Sequence, residues 1–309
     1  MKKNKPPLIV ICGPTSSGKS SMAIKLAKEY SKKNKKVEII SADSRAIYKG
    51  MDIGTAKILP NSNNGIAYHM INIINPNQKF TTALFKKQAT KIIKKIHQKG
   101  GVPFLVGGTG LYISSIVDNL TIPKVKPDKK MRNEIEKEIN RKGLNFVWQK
   151  LLKIDPRSKN FVQKENPRRV IRALEVCLKT GQPFSQLRKK SPPEFEILQI
   201  GIKVKRTKLY SQINQRTEQM IKDGLVKEIK ALLKKYLPSA PGLDSIAYKE
   251  IISYLQNKIT LQEAIDLIKK NTRHYARRQI TWFKKDKRIH WVATYSQAKE
   301  LIKNFLKNY

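Results

Sequence analysis

Short apolar runs alternate with helical patterns along the first third of the chain. Three compact runs predict strands that are buried on both faces, at residues 8–12, 37–41 and 102–106. Two other stretches, residues 20–30 and 82–98, carry apolar side chains at helical spacing, and Gly100-Gly101 follows the second. Strands that alternate with helices in this way predict an α/β fold around a parallel sheet.

The pattern changes after residue 123. Residues 124–195 are charged, have helical periodicity and carry almost no strand signal. Asn166 and Pro167 predict the start of a helix, with Asn as its cap and Pro at its first position, and Gly181 predicts its end. The helix has an apolar face and an opposite polar face, made by Val170, Leu174 and Cys177 and by Arg168, Arg172 and Glu175, respectively.

An alternating strand pattern returns at residues 195–204. The rest of the chain is predicted to be helical, including residues 209–235 and 261–284. The simplest architecture is therefore an α/β core made of residues 1–123 and 196–309, interrupted by a helical insertion domain at 124–195.

A glycine-rich phosphate-binding motif follows the first predicted strand. It fits G-x-x-x-x-G-K-[ST] in full and consists of Gly13, Pro14, Thr15, Ser16, Ser17, Gly18, Lys19 and Ser20. The loop amides and the helix N-terminus attract an anion, Lys19 neutralises phosphate oxygens, and the Ser20 hydroxyl can hold Mg²⁺. We therefore expect a P-loop NTPase-like parallel-sheet core that binds phosphates, although the motif does not say whose phosphates.

Two further strands end in residues that suit a ligand site. Asp43 follows the second strand, where it could hold Mg²⁺, accept a proton or simply cap the next turn. The third strand ends in Gly107-Gly108-Thr109, not in the acidic residue with which many P-loop kinases and NTPases position Mg²⁺. This ending disfavours an ordinary NTPase. It predicts either a tight turn that presents Thr109 to a ligand or an unremarkable loop.

Composition excludes several classes of protein and points towards a polyanion. Hydrophobic residues make up 39% of the chain, which indicates a globular protein, and no apolar run approaches the roughly 18 residues of a membrane helix. The two cysteines and four histidines are too scattered to predict a disulfide framework or a metal site, so we expect a cytoplasmic protein. The net charge of +41 would attract nucleic acid, although abundant Lys, Ile and Asn also occur together in proteins from AT-rich genomes.

One predicted helix, residues 272–283, concentrates this charge. Its polar arc opposes an apolar side and consists of His274, Arg277, Arg278 and Thr281. Tyr275 and Trp282 lie beside the arginines, a combination that suits contact with an RNA backbone and stacking on bases. The alternative is a solvated basic face.

Taken in order, these motifs resemble the tRNA dimethylallyltransferase family, the bacterial tRNA isopentenyltransferases. The resemblance covers nearly the whole chain. It rests on GPTSSGKS at 13–20, SADSRAIYKGMDIGTAK at 41–57, YHMINI at 68–73 with Phe80-Thr81, VGGTGLY at 106–112, NPRRVIRALEV at 166–176, QRTEQMIKDGL around Arg216, DSIAYKE at 244–250 and RRQITWF at 277–283.

The resemblance implies roles for particular residues. The P-loop would bind the pyrophosphate of dimethylallyl diphosphate with Mg²⁺, and Arg216 would grip the same group. Asp43 would lie beside the adenine N6 as general base or orienting acceptor, while Thr109 and Arg132 would serve catalysis and tRNA contact. The implied tRNA-contacting residues are Asp43, Ser44, Arg45, Ala46, Arg168, Arg169, Val170, Ile171, Arg172, Ser245, Lys249, Arg277, Arg278, Gln279, Thr281, Trp282 and Lys284.

The expected activity is transfer of the dimethylallyl group to N6 of the adenosine at position 37, beside the tRNA anticodon. The expected partners are the anticodon stem-loop and dimethylallyl diphosphate, with no membrane, and the expected state is a monomer. Four residues depart from the family pattern, namely Ala46, Asn72, Asn75 and Gly110. Two alternatives stay open: a P-loop small-molecule kinase, and a non-catalytic RNA-binding protein with a relic P-loop.

Overall fold

The computed structural model describes residues 5–31, 36–58, 65–123, 125–307 and 309. The chain divides into two compact units. Residues Met1–Val117 and Glu194–Tyr309 form the core unit, and Asp118–Pro193 form the helical unit. The sequence placed the insertion at 124–195. Residue 124 itself lies outside the described residues, and the structural division falls instead at 118 and 193.

Within the described residues, one parallel sheet of six strands forms the centre of the core unit. The strands, in chain order, are β1 Pro7–Cys12, β2 Val37–Ser41, β3 Tyr68–His69, β4 Val102–Gly107, β5 Glu196–Ile202 and β6 Ile289–Val292. Their spatial order is β3-β2-β4-β1-β5-β6. In the register, Ile9 of β1 lies opposite Phe104 of β4 and Leu198 of β5.

The strands predicted at 8–12, 37–41, 102–106 and 195–204 are confirmed, because β1, β2, β4 and β5 occupy these segments. The two edge strands, β3 and β6, were not predicted. The prediction that everything after residue 204 is helical is wrong at β6, which pairs with β5. These edge strands contain only two and four residues, so their sequences are too short to show a periodicity.

Helices cover both faces of the sheet and build the helical unit. In chain order they are α1 Lys19–Ser31, α2 Thr82–Gln98, α3 Gly110–Val117, α4 Lys129–Lys142, α5 Leu144–Ile154, α6 Pro167–Thr180, α7 Phe184–Leu187, α8 Arg206–Lys222, α9 Leu225–Leu233, α10 Tyr248–Leu255, α11 Leu261–Lys284 and α12 Tyr295–Leu306. A 3₁₀ helix spans Pro156–Asn160. The helix predicted over 209–235 is divided into α8 and α9, because Gly224 adopts a φ of 97° between them.

The sheet separates two apolar layers. Ile9 and Ile11 of β1 pack with α1 and α12 on one side, and Leu8 and Val10 pack with α2 and α3 on the other. All four side chains are fully buried, and each contributes roughly 1.5–3 kcal/mol relative to an exposed position. This rigid sheet fixes the loops at the carboxyl ends of its strands.

The helical unit confirms the caps predicted for α6. The Asn166 side chain accepts a hydrogen bond from the backbone N–H of Arg169, and Gly181 closes the helix in the left-handed conformation. The predicted apolar face is confirmed as well, since Val170, Leu174 and Cys177 are buried in the core of this unit. Among the helices of the described chain, none is both long enough and apolar enough to cross a membrane.

Candidate active site at the carboxyl edge of the sheet

The P-loop connects β1 to α1 in the conformation that its sequence predicts. Ser16 and Gly18 have φ values of 60° and 80°, so the loop turns back on itself ahead of the helix. The Lys19 ammonium donates a hydrogen bond to the Pro14 carbonyl oxygen at 3.0 Å. The Ser17 hydroxyl is buried and has no hydrogen-bond partner within the described residues, which leaves a polar atom available to an anion.

Two cations meet at this loop. Arg216 from α8 donates a long hydrogen bond, 3.5 Å, from Nη1 to the Ser16 hydroxyl. Burial lowers the pKa of Lys19 to about 8, Asp43 partly offsets this by favouring the charged form, and Arg216 lowers it further. Burial likewise lowers the pKa of Arg216. Two crowded, partly desolvated cations would both be relieved by a bound anion, so the loop is electrostatically suited to a diphosphate.

Asp43 begins the turn after β2. Its Oδ1 accepts hydrogen bonds from the backbone N–H groups of Arg45 at 2.8 Å and Ala46 at 3.4 Å. The capping role left open from the sequence is therefore present, and it fixes the direction of the carboxylate. The Arg45 guanidinium anchors the same segment by donating to the Pro241 carbonyl oxygen at 3.0 Å. Asp43 lies close enough to Lys19 and Arg216 for its charge to raise the pKa of both cations.

The turn after β4 packs against the Asp43 segment. The Thr109 hydroxyl oxygen accepts a hydrogen bond from the Ser44 backbone N–H at 3.0 Å. A side chain at Gly107 would collide with the Ala42 carbonyl, so only glycine permits this approach. Burial together with nearby Asp43 raises the pKa of Tyr275 to about 12, although the neighbouring Thr109 side chain favours its ionised form. The predicted tight turn is thus present.

Gln279 differs from the role that the resemblance implies. Its side chain is only 5% exposed, although a tRNA-contacting residue should be accessible. Its Oε1 accepts a hydrogen bond from the Thr15 backbone N–H, and its Nε2 donates to the Gly108 carbonyl oxygen, both at 2.8 Å. Gln279 therefore faces the interior, whereas Arg277 and Arg278 are exposed.

The other implied tRNA-contacting residues divide by exposure. Those on the surface are Arg168, Arg169, Lys249, Arg277, Arg278, Thr281 and Lys284, and those that are half-buried are Asp43, Ser44, Arg45, Arg172 and Trp282. The buried ones are Ala46, Val170, Ile171 and Ser245. Val170 and Ile171 belong to the apolar core of the helical unit, and the Ser245 hydroxyl donates to the Gly242 carbonyl oxygen. Their side chains serve packing and turn structure in this conformation.

Arg132 lies in the helical unit, where it forms an ion cluster. Glu175 receives two hydrogen bonds from Arg132, at 2.9 and 2.8 Å, and one from Arg172 at 2.6 Å. Glu175 lies beside Arg172, as its predicted place on the polar face implies, but the residue is 0% exposed. Burial alone raises the pKa of Glu175, but the bonds from Arg132, the Asp128 backbone and Arg172 outweigh it and hold the pKa below its usual range.

Sequence reasoning missed the residue that fixes the loop after Asp43. The Glu228 carboxylate of α9 accepts hydrogen bonds from the backbone N–H groups of Asp52 at 2.9 Å, Ile53 at 2.7 Å and Gly54 at 3.3 Å. It also accepts one from the Tyr248 hydroxyl at 2.7 Å. A single glutamate on an amphipathic helix gives no local signal for such a role, because its partners lie about 175 positions earlier.

The residues at the P-loop fit Mg²⁺ when it arrives with a diphosphate. The described part of the chain contains no group of three or more His, Cys, Asp or Glu side chains that could hold a metal ion. Ser20 supplies a hydroxyl oxygen at the start of α1, close to the Tyr68 hydroxyl, whose pKa it lowers against the effect of burial. Mg²⁺ typically uses one or two protein oxygens together with phosphate oxygens and water, so this donor set suits it.

Comparison with known proteins gives a consistent result. The sequence model of the IPP transferase family matches residues 46–286, and that of chromatin associated protein KTI12 matches only residues 6–57, which contain the P-loop. The chain is 43% identical over 298 residues to a tRNA dimethylallyltransferase of Carboxydothermus hydrogenoformans, covering 96% of this chain and 94% of the relative.

Solved structures agree with the sequence relatives. The full-length tRNA isopentenylpyrophosphate transferase from Bacillus halodurans superposes with a TM-score of 0.71 at 38% identity, covering 98% of this chain and 96% of that one. A eukaryotic dimethylallyltransferase acting on tRNA superposes with a TM-score of 0.77 at 26% identity, covering 98% and 80%. Both similarities extend over nearly the whole length of this chain.

Proposed function

This chain belongs to the IPP transferase family, and on that premise we propose that it transfers the dimethylallyl group of dimethylallyl diphosphate to a tRNA. The proposed acceptor is N6 of the adenosine at position 37, beside the anticodon. The observation that carries the proposal is that Lys19 and Arg216 meet at the P-loop while the Asp43 carboxylate is fixed in the turn after β2, at the same edge of the sheet. Such a site suits a reaction that needs a leaving diphosphate at one end and a proton acceptor at the other.

The chemistry is a substitution at the allylic carbon. The adenine N6 forms a bond to C1 of the dimethylallyl group, and the bond from C1 to the diphosphate oxygen breaks. Pyrophosphate leaves with that electron pair, and its developing charge is neutralised by Lys19, Arg216 and the loop amides. The N6 amine loses one proton, which Asp43 accepts or orients, because an adenine amine is a poor nucleophile.

Neighbouring backbone groups orient the Asp43 carboxylate. The Arg45 and Ala46 amides occupy Oδ1 of Asp43, and Thr109 fixes the neighbouring Ser44 backbone. To reach this position, the target adenine must leave the stack of the anticodon loop, as bases do when enzymes modify them. Mg²⁺ bound with the diphosphate would neutralise further charge, and Ser20 is the residue that would hold it. The monomeric state and the cytoplasmic location stay predictions from the sequence.

The kinase alternative receives no support from these observations. β4 ends in Gly107, and the following turn is bonded to the Asp43 segment, so it offers no acidic strand end for Mg²⁺. The full-length relatives are transferases that act on tRNA by their names.

Transfer of a labelled dimethylallyl group to unmodified tRNA, in buffer that contains Mg²⁺ but no nucleoside triphosphate, tests the proposal. We expect the label in tRNA, isopentenyladenosine among its nucleosides, and one pyrophosphate released per group transferred. ATP should be neither required nor hydrolysed, and it should compete only weakly. Strict dependence on ATP, or release of phosphate from ATP without prenyl transfer, would return the chain to the kinases or NTPases.

A further inference from the structure

One face of α11 packs against the turn that follows β4. Tyr275, Gln279 and Trp282 are spaced by four and three positions, so they form one stripe along the helix. Tyr275 lies close enough to Thr109 for the Thr109 side chain to affect its pKa, and the Gln279 amide donates to the Gly108 carbonyl oxygen. The stripe therefore packs against the turn.

Two glycines allow this close packing. A side chain at Gly108 would collide with Nε2 of Gln279, and one at Gly110 would collide with the indole ring of Trp282. The absence of a bulkier residue at 110, which is a departure from the family pattern, thus has a packing reason in this chain. The turn after β4 therefore packs closely against α11, and a methyl group at Gly108 or Gly110 would force a neighbouring side chain to move.

Gln279 is the member of the stripe that also reaches the P-loop. Its amide accepts from the Thr15 N–H and donates to the Gly108 carbonyl, so one planar group joins two loops that follow different strands. Only an amide of this length offers both an acceptor and a donor in the required positions. The Thr15 N–H is thus used by Gln279, and the Ser17 N–H donates to the Pro14 carbonyl oxygen at 3.4 Å, so both bonds fix the shape of the loop.

We propose that Gln279 is a positioning residue that fixes the P-loop relative to the Thr109 turn, and that it does not contact tRNA. The inference rests on the proposed function, since the two loops are assigned to the leaving diphosphate and to the acid that faces the adenine. The exposed face of the same helix carries Arg277 and Arg278, so α11 presents one face to RNA and the other to the reactive loops.

The primary test replaces Gln279 by Met, which keeps the length but removes the donor and the acceptor. Loss of two hydrogen bonds corresponds to roughly a 10- to 100-fold effect. We expect the KM for dimethylallyl diphosphate to rise and kcat to fall by a combined factor of this size, while tRNA affinity and its salt dependence stay unchanged. Gln262→Met is the matched control, because Gln262 lies exposed at the start of α11 and should leave all parameters unchanged.

Two results would overturn the proposal. Weakened tRNA binding with unchanged donor kinetics would make Gln279 an RNA contact, as the resemblance implies. If the kinetics of Gln279→Met are indistinguishable from those of the wild type, the Gln279 side chain only fills space between the helix and the loops. Binding of pyrophosphate with Mg²⁺, measured by calorimetry on Gln279→Met and the wild type, gives the same answer without catalysis. Absence of transfer by the wild-type protein would therefore contradict the proposed function without deciding the role of Gln279.

A second measurement serves if Gln279→Met folds poorly. Gly108→Ala introduces a methyl group against the Gln279 amide, whereas Gln279→Ala removes that amide. In a double-mutant cycle on pyrophosphate affinity, we expect Gly108→Ala to cost at least about tenfold in the wild-type background and much less in the Gln279→Ala background. Equal costs in the two backgrounds would show that the two residues do not act on each other, and would overturn the proposal.

Discussion

The site has two ends at the same edge of the sheet. The diphosphate end consists of the P-loop and Arg216, and the acid end consists of the Asp43 segment and Thr109. The polar groups of the two ends are bonded differently. At the diphosphate end, Lys19 and Arg216 crowd each other, and the buried Ser17 hydroxyl has no partner within the described residues. At the acid end, the Asp43 carboxylate accepts hydrogen bonds from two backbone N–H groups, and the Thr109 hydroxyl oxygen accepts one from the Ser44 backbone N–H.

This difference indicates what each end requires from its substrate. Burial of two like charges costs free energy that only an anion can recover, so the diphosphate end is destabilised until the donor binds. The acid end already has its hydrogen bonds, so it orients a carboxylate before the adenine arrives. Variants of the two ends should therefore differ in stability as well as in activity.

The largest effect is expected at the diphosphate end. Lys19→Met should reduce transfer by at least about 10³-fold, because the leaving pyrophosphate loses a charge-assisted contact in the transition state. The same variant should stabilise the free protein by about 1–2 kcal/mol at pH 7. The shift in the pKa of Lys19 corresponds to roughly 3 kcal/mol, and loss of the bond to Pro14 offsets part of it. Single-turnover transfer and urea denaturation measure the two effects.

The sign follows from the direction of the shift. The pKa of Lys19 is about 8 in the folded protein, below its value in the unfolded chain, so the folded state is destabilised wherever the ammonium is charged. That destabilisation is fully present below pH 8 and disappears as the pH rises towards the unfolded pKa, near 10.4. The stabilisation by Lys19→Met should therefore decrease over the same interval and change sign at its upper end, because the lost bond to Pro14 does not depend on pH in this way. A constant difference would contradict the electrostatic account.

The next largest effect is expected at the acid end. Asp43→Asn should lower the chemical step by about 10²–10⁴-fold, the usual contribution of a positioned base. Unlike Lys19→Met, it should lower stability, because the Asn amide oxygen can still accept from the Arg45 and Ala46 backbone but the charge that favours the charged forms of Lys19 and Arg216 is lost. Binding of tRNA and of pyrophosphate should persist. An unchanged single-turnover rate at saturating substrate would remove Asp43 from the mechanism.

A smaller effect tests whether the two ends are supported separately. Glu228→Gln removes the charge that accepts three backbone N–H groups and a tyrosine hydroxyl, and should cost about 2 kcal/mol of stability. Because these bonds fix the loop after Asp43, kcat should fall while pyrophosphate affinity stays constant. Glu136→Gln, an exposed change on α4, is the matched control for stability. An equal loss of pyrophosphate affinity would show that the ends depend on each other.

The sequence predicted the parts of this site that rest on local rules. A P-loop between strand and helix, Asp43 after β2 and Thr109 after β4 all follow from motifs and from strands whose ends share one edge. The contacts of Glu228 and Gln279 could not be predicted in the same way. Each accepts from backbone groups that lie far earlier in the chain, and tertiary packing alone brings those groups together.

The smallest effect concerns the exposed face of α11, which belongs to neither end. Arg277 and Arg278 are both exposed, so contact with tRNA phosphates would be screened by salt. Replacing both with Ala should weaken tRNA binding a few-fold and lower the slope of log affinity against log salt by about two, since each phosphate contact contributes roughly one. Lys87→Ala with Lys91→Ala removes two exposed charges from α2 and is the matched control. If only total charge attracts RNA, both pairs will change the slope equally. If α11 is a specific contact, the α2 pair will leave the slope unchanged, and neither pair will alter pyrophosphate affinity.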